Sequence, residues 1–325
     1  MNIRYVLIMF GLTLSFQCSA DEWFPSKWGK DDTLGSINEI TPQHIVSAAK
    51  LVRTGKRYAL GMEISRDTPA YGARTVQTFM VAHAALFGNA GEPIGSGKVT
   101  GNDDWALLFF GVGSQLDGLA HVGIDHVYYN GNKVHDFFDQ SGTKKLSTSD
   151  VPPMVTRGVV LDIVGYLKTS RPELVMTVDG HEMLKPEVAV NEAEIKGALA
   201  RQNIAIGKGE VIIVHTGYMA LMHIDAKRYM ASQPGLGLEG ALYLAGFDPV
   251  AVGADTFGIE VTPGEVEGLV LPVHMELLPK RGIYLLENMV TSELVADEAW
   301  EFMFVLGQAR IKGTVQMVIN PVAIR

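Results

Sequence analysis

The sequence predicts an α/β fold. Apolar runs at residues 158–163, 211–214 and 250–254 are too short for helices and have the length of buried strands. Helical segments at 191–200 and 238–245 alternate with them. The strand-like runs also end in polar residues, His215-Thr216-Gly217 and Asp255-Thr256 among them, as strands do where loops begin. Buried runs that alternate with helices describe a sheet with helices packed on it.

In chain order, residues 1–20 read as a secretory leader: Arg4 makes a basic start, residues 6–16 an apolar core, and Cys18-Ser19-Ala20 a small-residue cleavage site. The mature chain then begins at Asp21 and residues 21–325 form one domain, since no linker, repeat or low-complexity tract divides them. The protein is expected to be periplasmic or secreted. Thr41 suits a helix N-cap and Pro42 the first helical position; Ile45, Ala48, Ala49 and Val52 repeat at helical spacing until Gly55. Residues 58–64 read as a strand, and 75–87 hold another.

Asn102-Asp103-Asp104 reads as a turn and residues 105–110 as a strand. That strand leads into Gly113-Ser114-Gln115-Leu116-Asp117-Gly118-Leu119-Ala120-His121, a glycine-bracketed loop at a strand end. Tyr129-Asn130-Gly131-Asn132 is a reversal, and Val151-Pro152-Pro153 opens a new unit. Near the C-terminus His274 opens a short helical turn, Gly282 ends it, and Glu287 stands in an apolar strand.

A formal charge of -9, with no cluster of Lys or Arg, argues against duplex nucleic acid or an anionic membrane as partner. No segment after the leader is apolar enough for a membrane span. The one cysteine, Cys18, leaves with the leader, so oxygen and nitrogen groups must carry any chemistry. There is no Gly-x-Ser-x-Gly elbow, phosphate loop or dinucleotide fingerprint. Of the nine histidines, His44 falls off the apolar positions of its helix, while His83, His181 and His223 lack metal-type spacing. Asp125, His126 and His135 remain open between structural and functional roles.

Asp117 and His121, four residues apart, make a weak pair by themselves, since a capping Asp and a core His would look the same. Glu287 is more informative, because a carboxylate in an apolar strand is costly to bury unless it is paired or holds a cation. Together with His274 they form a set of oxygen and imidazole donors that suits Zn²⁺ or Mn²⁺ better than Ca²⁺ or copper. Such an ion lowers the pKa of water, which points to hydrolysis of a small-molecule carbonyl compound.

These residues resemble the cyclase family of metal-dependent hydrolases, which includes bacterial kynurenine formamidase, isatin hydrolase and trans-dienelactone hydrolase. The resemblance begins at Trp28-Gly29-Lys30-Asp31-Asp32 and runs through the central motif, Arg157-Gly158, His215-Thr216-Gly217, Pro234-Gly235-Leu236 and Gly253-Ala254-Asp255-Thr256. It closes with residues 271–288 and Ile311-Lys312-Gly313. It implies a single-domain cyclase-like fold of the swivelling β/β/α type. It also implies Asp117, His274 and Glu287 as metal ligands, with His121 as catalytic base or acid. The family pattern His-x-x-x-His-x-Asp-x-x-x-His stands here as Gly111, Gln115, Asp117 and His121. With two histidines replaced, the resemblance implies one Zn²⁺ or Mn²⁺ per chain, Gln115 as a weak oxygen ligand, and a homodimer or homotetramer. The implied activity is hydrolysis of a small amide, formamide or lactone. A catalytically inactive protein that binds a small ligand or a metal on the same fold is the alternative, and a metal-assisted lyase or cyclase would use the same ligands.

Overall fold

The computed structural model describes residues 23–82 and 93–325. The leader and the far end of the 75–87 strand, with His83, lie outside the described residues. The strands used below are β1 (Arg57–Ala59), β2 (Val76–Ala82), β3 (Asn102–Leu108), β4 (Gln115–Asp117), β5 (Met154–Asp162), β6 (Val211–His215), β7 (Ala251–Ala254), β8 (Tyr284–Glu287), β9 (Glu301–Leu306), β10 (Gln316–Val318) and β11 (Val322–Ile324). All but β2 and β3 form one sheet, in the order β1-β11-β9-β5-β6-β7-β8-β4-β10. The helices are α1 (Pro42–Ala49), α2 (Ile163–Ser170), α3 (Glu192–Gln202), α4 (Leu238–Ala245) and α5 (Pro272–Met275).

The sheet centre is parallel from β5 through β6 and β7 to β8. These are the continuous apolar runs of the sequence, and every residue of β6, β7 and β8 is buried. Parallel strands need crossovers and are covered on both faces, so uninterrupted valine and isoleucine is what they require. Each such side chain taken out of water contributes roughly 1.5 to 3 kcal/mol. The crossovers start abruptly: Asp162 ends β5 and caps α2, its carboxylate accepting the Gly165 N–H at 2.9 Å. At α3 the Glu194 side chain accepts the Asn191 backbone N–H at 2.8 Å, a reciprocal cap. Outside the parallel centre the strands are antiparallel: β9, β11 and β1 on one flank, β4 and β10 on the other.

The α/β class and the elements at 191–200, 211–214 and 238–245 stand where the sequence places them. Three readings change. The 58–64 strand is reduced to β1, Arg57–Ala59. Asn102, Asp103 and Asp104 belong to strand β3 rather than a turn, because each pairs across to Ala82, Val81 and Met80 of β2. The 105–110 strand therefore feeds a separate two-stranded ribbon, not the main sheet. Helix α1 ends at Ala49, and the apolar repeat beyond it continues only as a tighter turn in which Leu51 and Val52 donate to the carbonyls of Ala48 and Ala49. Only Ala48 of that helix is buried, with Ile45 and Val52 left exposed.

The β2–β3 ribbon is apolar yet open to solvent. Phe79 and Trp105 stack on it with ring centroids 4.4 Å apart, while Met80 and Leu107 are 71% and 59% exposed. An isolated two-stranded ribbon is marginally stable at best, so this one gains from any surface that covers it.

Candidate functional site

The central motif is not a loop hung on a strand end: its Gln115–Asp117 segment is strand β4, inserted antiparallel between β8 and β10. Asp117 stands opposite Leu285 on β8 and Gln316 on β10, and Gln115 stands opposite Glu287. Side chains alternate along a strand and directly opposed residues share a face. One face of this corner therefore carries Gln115, Asp117, Glu287 and Gln316, all buried. The other face carries Leu116, Leu286 and Met317 into the core.

The segment before β4 is tied to the end of β8. Asn288 donates to the Gly113 carbonyl at 2.9 Å, Ser114 Oγ donates to the Asn288 carbonyl at 2.5 Å, and Tyr229 donates its hydroxyl to Asn288 Oδ1 at 2.7 Å. Gly113 has φ +68°, and a Cβ there would collide with Ile64, so the turn into β4 requires glycine.

The third element is α5. It delivers His274 through a left-handed Leu271 (φ +55°) just before Pro272. His274 Nε2 lies 3.1 Å from Glu287 Oε1 and 3.6 Å from Asp117 Oδ2. Asp117, His274 and Glu287 each offer one donor atom, and all three atoms fall within 4.8 Å of one another. Bonds of 2.0 to 2.2 Å around a tetrahedral zinc put neighbouring donor atoms about 3.4 Å apart, a value these two distances bracket. The other ring nitrogen, Nδ1, is hydrogen-bonded to Glu260, whose second oxygen accepts the Val273 N–H at 2.9 Å. A carboxylate behind the imidazole fixes ring orientation and raises the basicity of the nitrogen in front.

One buried atom in the corner has no partner. Asp117 Oδ2 makes no hydrogen bond, although Oδ1 of the same carboxylate receives two N–H groups. An unsatisfied buried carboxylate oxygen is expensive, and native proteins rarely tolerate one without an ion or water. Charge adds to the imbalance, since three buried carboxylates (Asp117, Glu260, Glu287) face the single imidazole of His274. The donor set and the orphaned oxygen together fit a divalent cation.

Titration behaviour follows the same geometry. Burial alone would raise the Asp117 carboxyl, but the imidazoles of His121 and His274 and the amide of Gln316 outweigh it and bring it to about 2. Glu287 is pushed up to about 7 by burial and by the neighbouring Asp117 charge, against the pull of His274. His274 is raised well above the usual histidine value: burial opposes this, and the surrounding carboxylates of Asp117, Glu260 and Glu287 prevail. His121 moves the other way, lowered chiefly by burial, with Asp117 acting against it. It therefore stays neutral at pH 7 and keeps a nitrogen lone pair.

His121 sits in the turn after β4, its N–H donating to the Gly118 carbonyl at 3.0 Å. Its Nε2 is 3.9 Å from Asp117 Oδ2, and its ring centroid is 6.4 Å from that of His274. It borders the cluster and is 18% exposed where Asp117 is fully buried. Gln115 also joins the cluster, but as a donor: its amide nitrogen reaches Glu287 Oε2 at 2.7 Å and Asp117 Oδ1 at 3.1 Å.

Other sequence candidates lie apart. His135 is exposed beside Asp136, and His215 at the end of β6 is held by Thr291 and Asp255. Among the aromatic residues near the motif, Tyr129 is buried and donates its hydroxyl to Asp32 at 2.7 Å, a packing role. A separate cavity of about 240 Å³, bordered by Lys27, Trp28 and Arg281, shares no residue with the cluster. Its cations are neutralised by Glu39, Asp248 and Glu276.

Three residues escaped the sequence reading. Glu260 had a usable signal, a carboxylate between Ile259 and Val261 in an alternating run. Gln316 had none, since an amide carries no charge and its importance comes only from standing opposite Asp117. Arg74 lies on no motif; it donates to the Gly111 carbonyl at 3.2 Å, and its positive charge helps to lower His121 and works against the rise of Glu287.

The Cyclase family model ("Putative cyclase") matches residues 58–261, which takes in Asp117, His121 and Glu260 and stops short of His274 and Glu287. No protein of curated function matches the chain. It is similar to a crystal structure described as a novel cyclase, with 27% identity, a TM-score of 0.80, and coverage of 92% of this chain and 96% of that one. It is also similar to isatin hydrolase A from Ralstonia solanacearum, at 14% identity and a TM-score of 0.61 over 88% of this chain and 98% of that one. An isatin hydrolase bound to the product analogue thioisatinate matches with 16% identity and a TM-score of 0.58, over 87% and 98%. At those identities the last two likenesses are of fold alone.

Proposed function

The chain belongs to the cyclase family, and from that premise we propose that it is a metal-dependent hydrolase of a small amide, formamide or lactone. The observation that carries the reading is the unpartnered Asp117 Oδ2 in a buried corner with excess negative charge. Asp117, His274 and Glu287 would hold one Zn²⁺ or Mn²⁺. When bound, such an ion polarises a carbonyl and makes water more acidic.

The remaining steps fall to the chain's own residues. Glu260 holds His274 by Nδ1 so that Nε2 faces the carboxylates, and binding requires His274 to give up its Nε2 proton and Glu287 to be ionised. Gln115, tied to both carboxylates, keeps their planes in place. His121, neutral and at the more open edge, accepts a proton at a ring nitrogen as water adds to the carbonyl. It returns that proton to the departing nitrogen or oxygen.

The test is metal content by mass spectrometry on protein purified without chelator, followed by turnover on a panel of aryl formamides, simple amides and lactones. Near-stoichiometric Zn or Mn, with activity abolished by chelation and restored by the ion, is the expected result. Stoichiometric metal without turnover on any panel member would instead favour a binding protein. No metal and no activity would end the metal reading.

We further propose that the protein is exported, on the strength of the leader-like residues 1–20, and that two or four copies associate through the β2–β3 ribbon. The apolar ribbon supports association, because its exposed Trp105, Met80 and Leu107 find no cover in the chain itself among the described residues. Light scattering on the wild type should give a multiple of the chain mass, and Trp105→Asp should shift it toward a single chain. A wild type that is already monomeric would refute the association.

A further inference from the structure

We propose that Gln316 and Gly111 act as a matched pair that commits Asp117 to a single ligand oxygen; this rests on the metal reading above and assigns residues that it does not use. Gln316 projects from β10 directly opposite Asp117, is buried, and donates its amide N–H to Asp117 Oδ1 at 2.8 Å. Gln115 donates to the same oxygen at 3.1 Å and to Glu287 Oε2 at 2.7 Å. Carboxylate oxygens only accept, so both amides must turn their NH₂ groups toward them. Two donors satisfy Oδ1, and one satisfies Glu287 Oε2. What remains is one oxygen on each carboxylate, Asp117 Oδ2 and Glu287 Oε1, and both face His274 Nε2.

Gly111 is what lets Gln316 in. A Cβ at position 111 would stand 2.6 Å from Gln316 Oε1 and 2.8 Å from Nε2, so any side chain there expels the amide. The two positions are mutually exclusive: either a side chain at 111 or the Gln316 amide against Asp117. With the amide in place Oδ1 is closed, and the corner holds one ion rather than two that share Asp117. Gln316 is a positioning residue, since it acts on the ion only through Asp117.

A double-mutant cycle read by calorimetric titration of chelator-stripped full-length chain with Zn²⁺ and with Mn²⁺ tests the pair. The wild type should bind one ion per chain. Gln316→Ala and Gly111→Ala should each weaken binding about 10-fold or more, the scale of an outer partner of a ligand. The double variant should lose no more than Gln316→Ala alone, because the added Cβ has nothing left to displace. The visible spectrum of bound Co²⁺ gives a second readout that a general loss of stability would not move. It should change in Gln316→Ala, where Oδ1 of Asp117 keeps only the longer Gln115 hydrogen bond and can turn toward the ion. Additive losses, or an unchanged affinity and spectrum in Gln316→Ala, would overturn the pair while leaving the metal site intact. Two ions per wild-type chain, both lost in Asp117→Asn, would overturn the single-oxygen assignment. No ion in the wild type would remove the metal reading and this inference with it. Should Gly111→Ala fail to fold, Gln316→Ala decides by itself.

Discussion

Asp117→Asn is expected to empty the metal site, with a loss of affinity beyond the roughly 100-fold that outer partners command. The substitution keeps the shape of the side chain, so the effect is chemical. Gln115 and Gln316 both present N–H groups to Oδ1, and an asparagine there must answer with its carbonyl oxygen. Its NH₂ then falls where Oδ2 now stands, pointing hydrogens at the ligand position instead of a lone pair. Charge and geometry are lost in one step. Mass spectrometry for metal, with circular dichroism to confirm the fold, checks this; unchanged occupancy would take Asp117 out of the site.

The same paired carboxylates set a pH dependence for the wild type. In the metal-free protein at neutral pH, Glu287, raised to about 7, is in part protonated, and His274, raised well above the usual histidine value, carries its proton. The ion needs both groups deprotonated, so protons compete with it. Affinity should therefore rise with pH through 7, and binding near neutrality should release protons, measurable as a buffer-dependent heat.

His121→Ala is expected to separate binding from chemistry. Its Nε2 is 3.9 Å from Asp117 Oδ2 and it stands outside the three-donor set, so metal content should persist. Turnover should fall by about 10² to 10⁴, the usual worth of a placed acid or base. Because burial lowers the His121 pKa, protonation costs activity only below the ordinary histidine range. An acid limb of the rate profile placed there should vanish in the variant. A variant that turns over like the wild type would exclude proton transfer by His121, and loss of the metal would make it a ligand.

The architecture was legible where local pattern and tertiary role coincide. Val211 to Val214 is uniformly apolar because a parallel strand is buried on both faces, and 238–245 has a helix's length and composition. Glu287 declared itself through cost, an acid among Tyr284, Leu285 and Leu286. The 102–110 stretch misled because a ribbon exposed to solvent shows the same apolar and aromatic composition as a core strand, and the acids at its start looked like a turn. The partners of Asp117 were beyond local reading. That Gln115 meets Glu287 and Asp117 meets Gln316 is a matter of register between strands some 170 and 200 positions apart, which no periodicity encodes. Likeness to a family brought Asp117, His121, His274 and Glu287 together on paper. It could not bring Gln316, which matters only because Gly111 leaves it room.

Strand β4 has three residues and owes its place to neighbours from the last eighth of the chain. A growing polypeptide that has made the Asp117 motif therefore has nowhere to seat it until residues 284–287 and 316–318 emerge. The metal corner cannot close before those residues are made, and closing it must overcome the loop entropy of the long connections between these strands. On the export proposed above, the chain would be threaded through a membrane before it folds, and ion capture would become an event of the destination compartment, set by the metals available there and not by those around the ribosome.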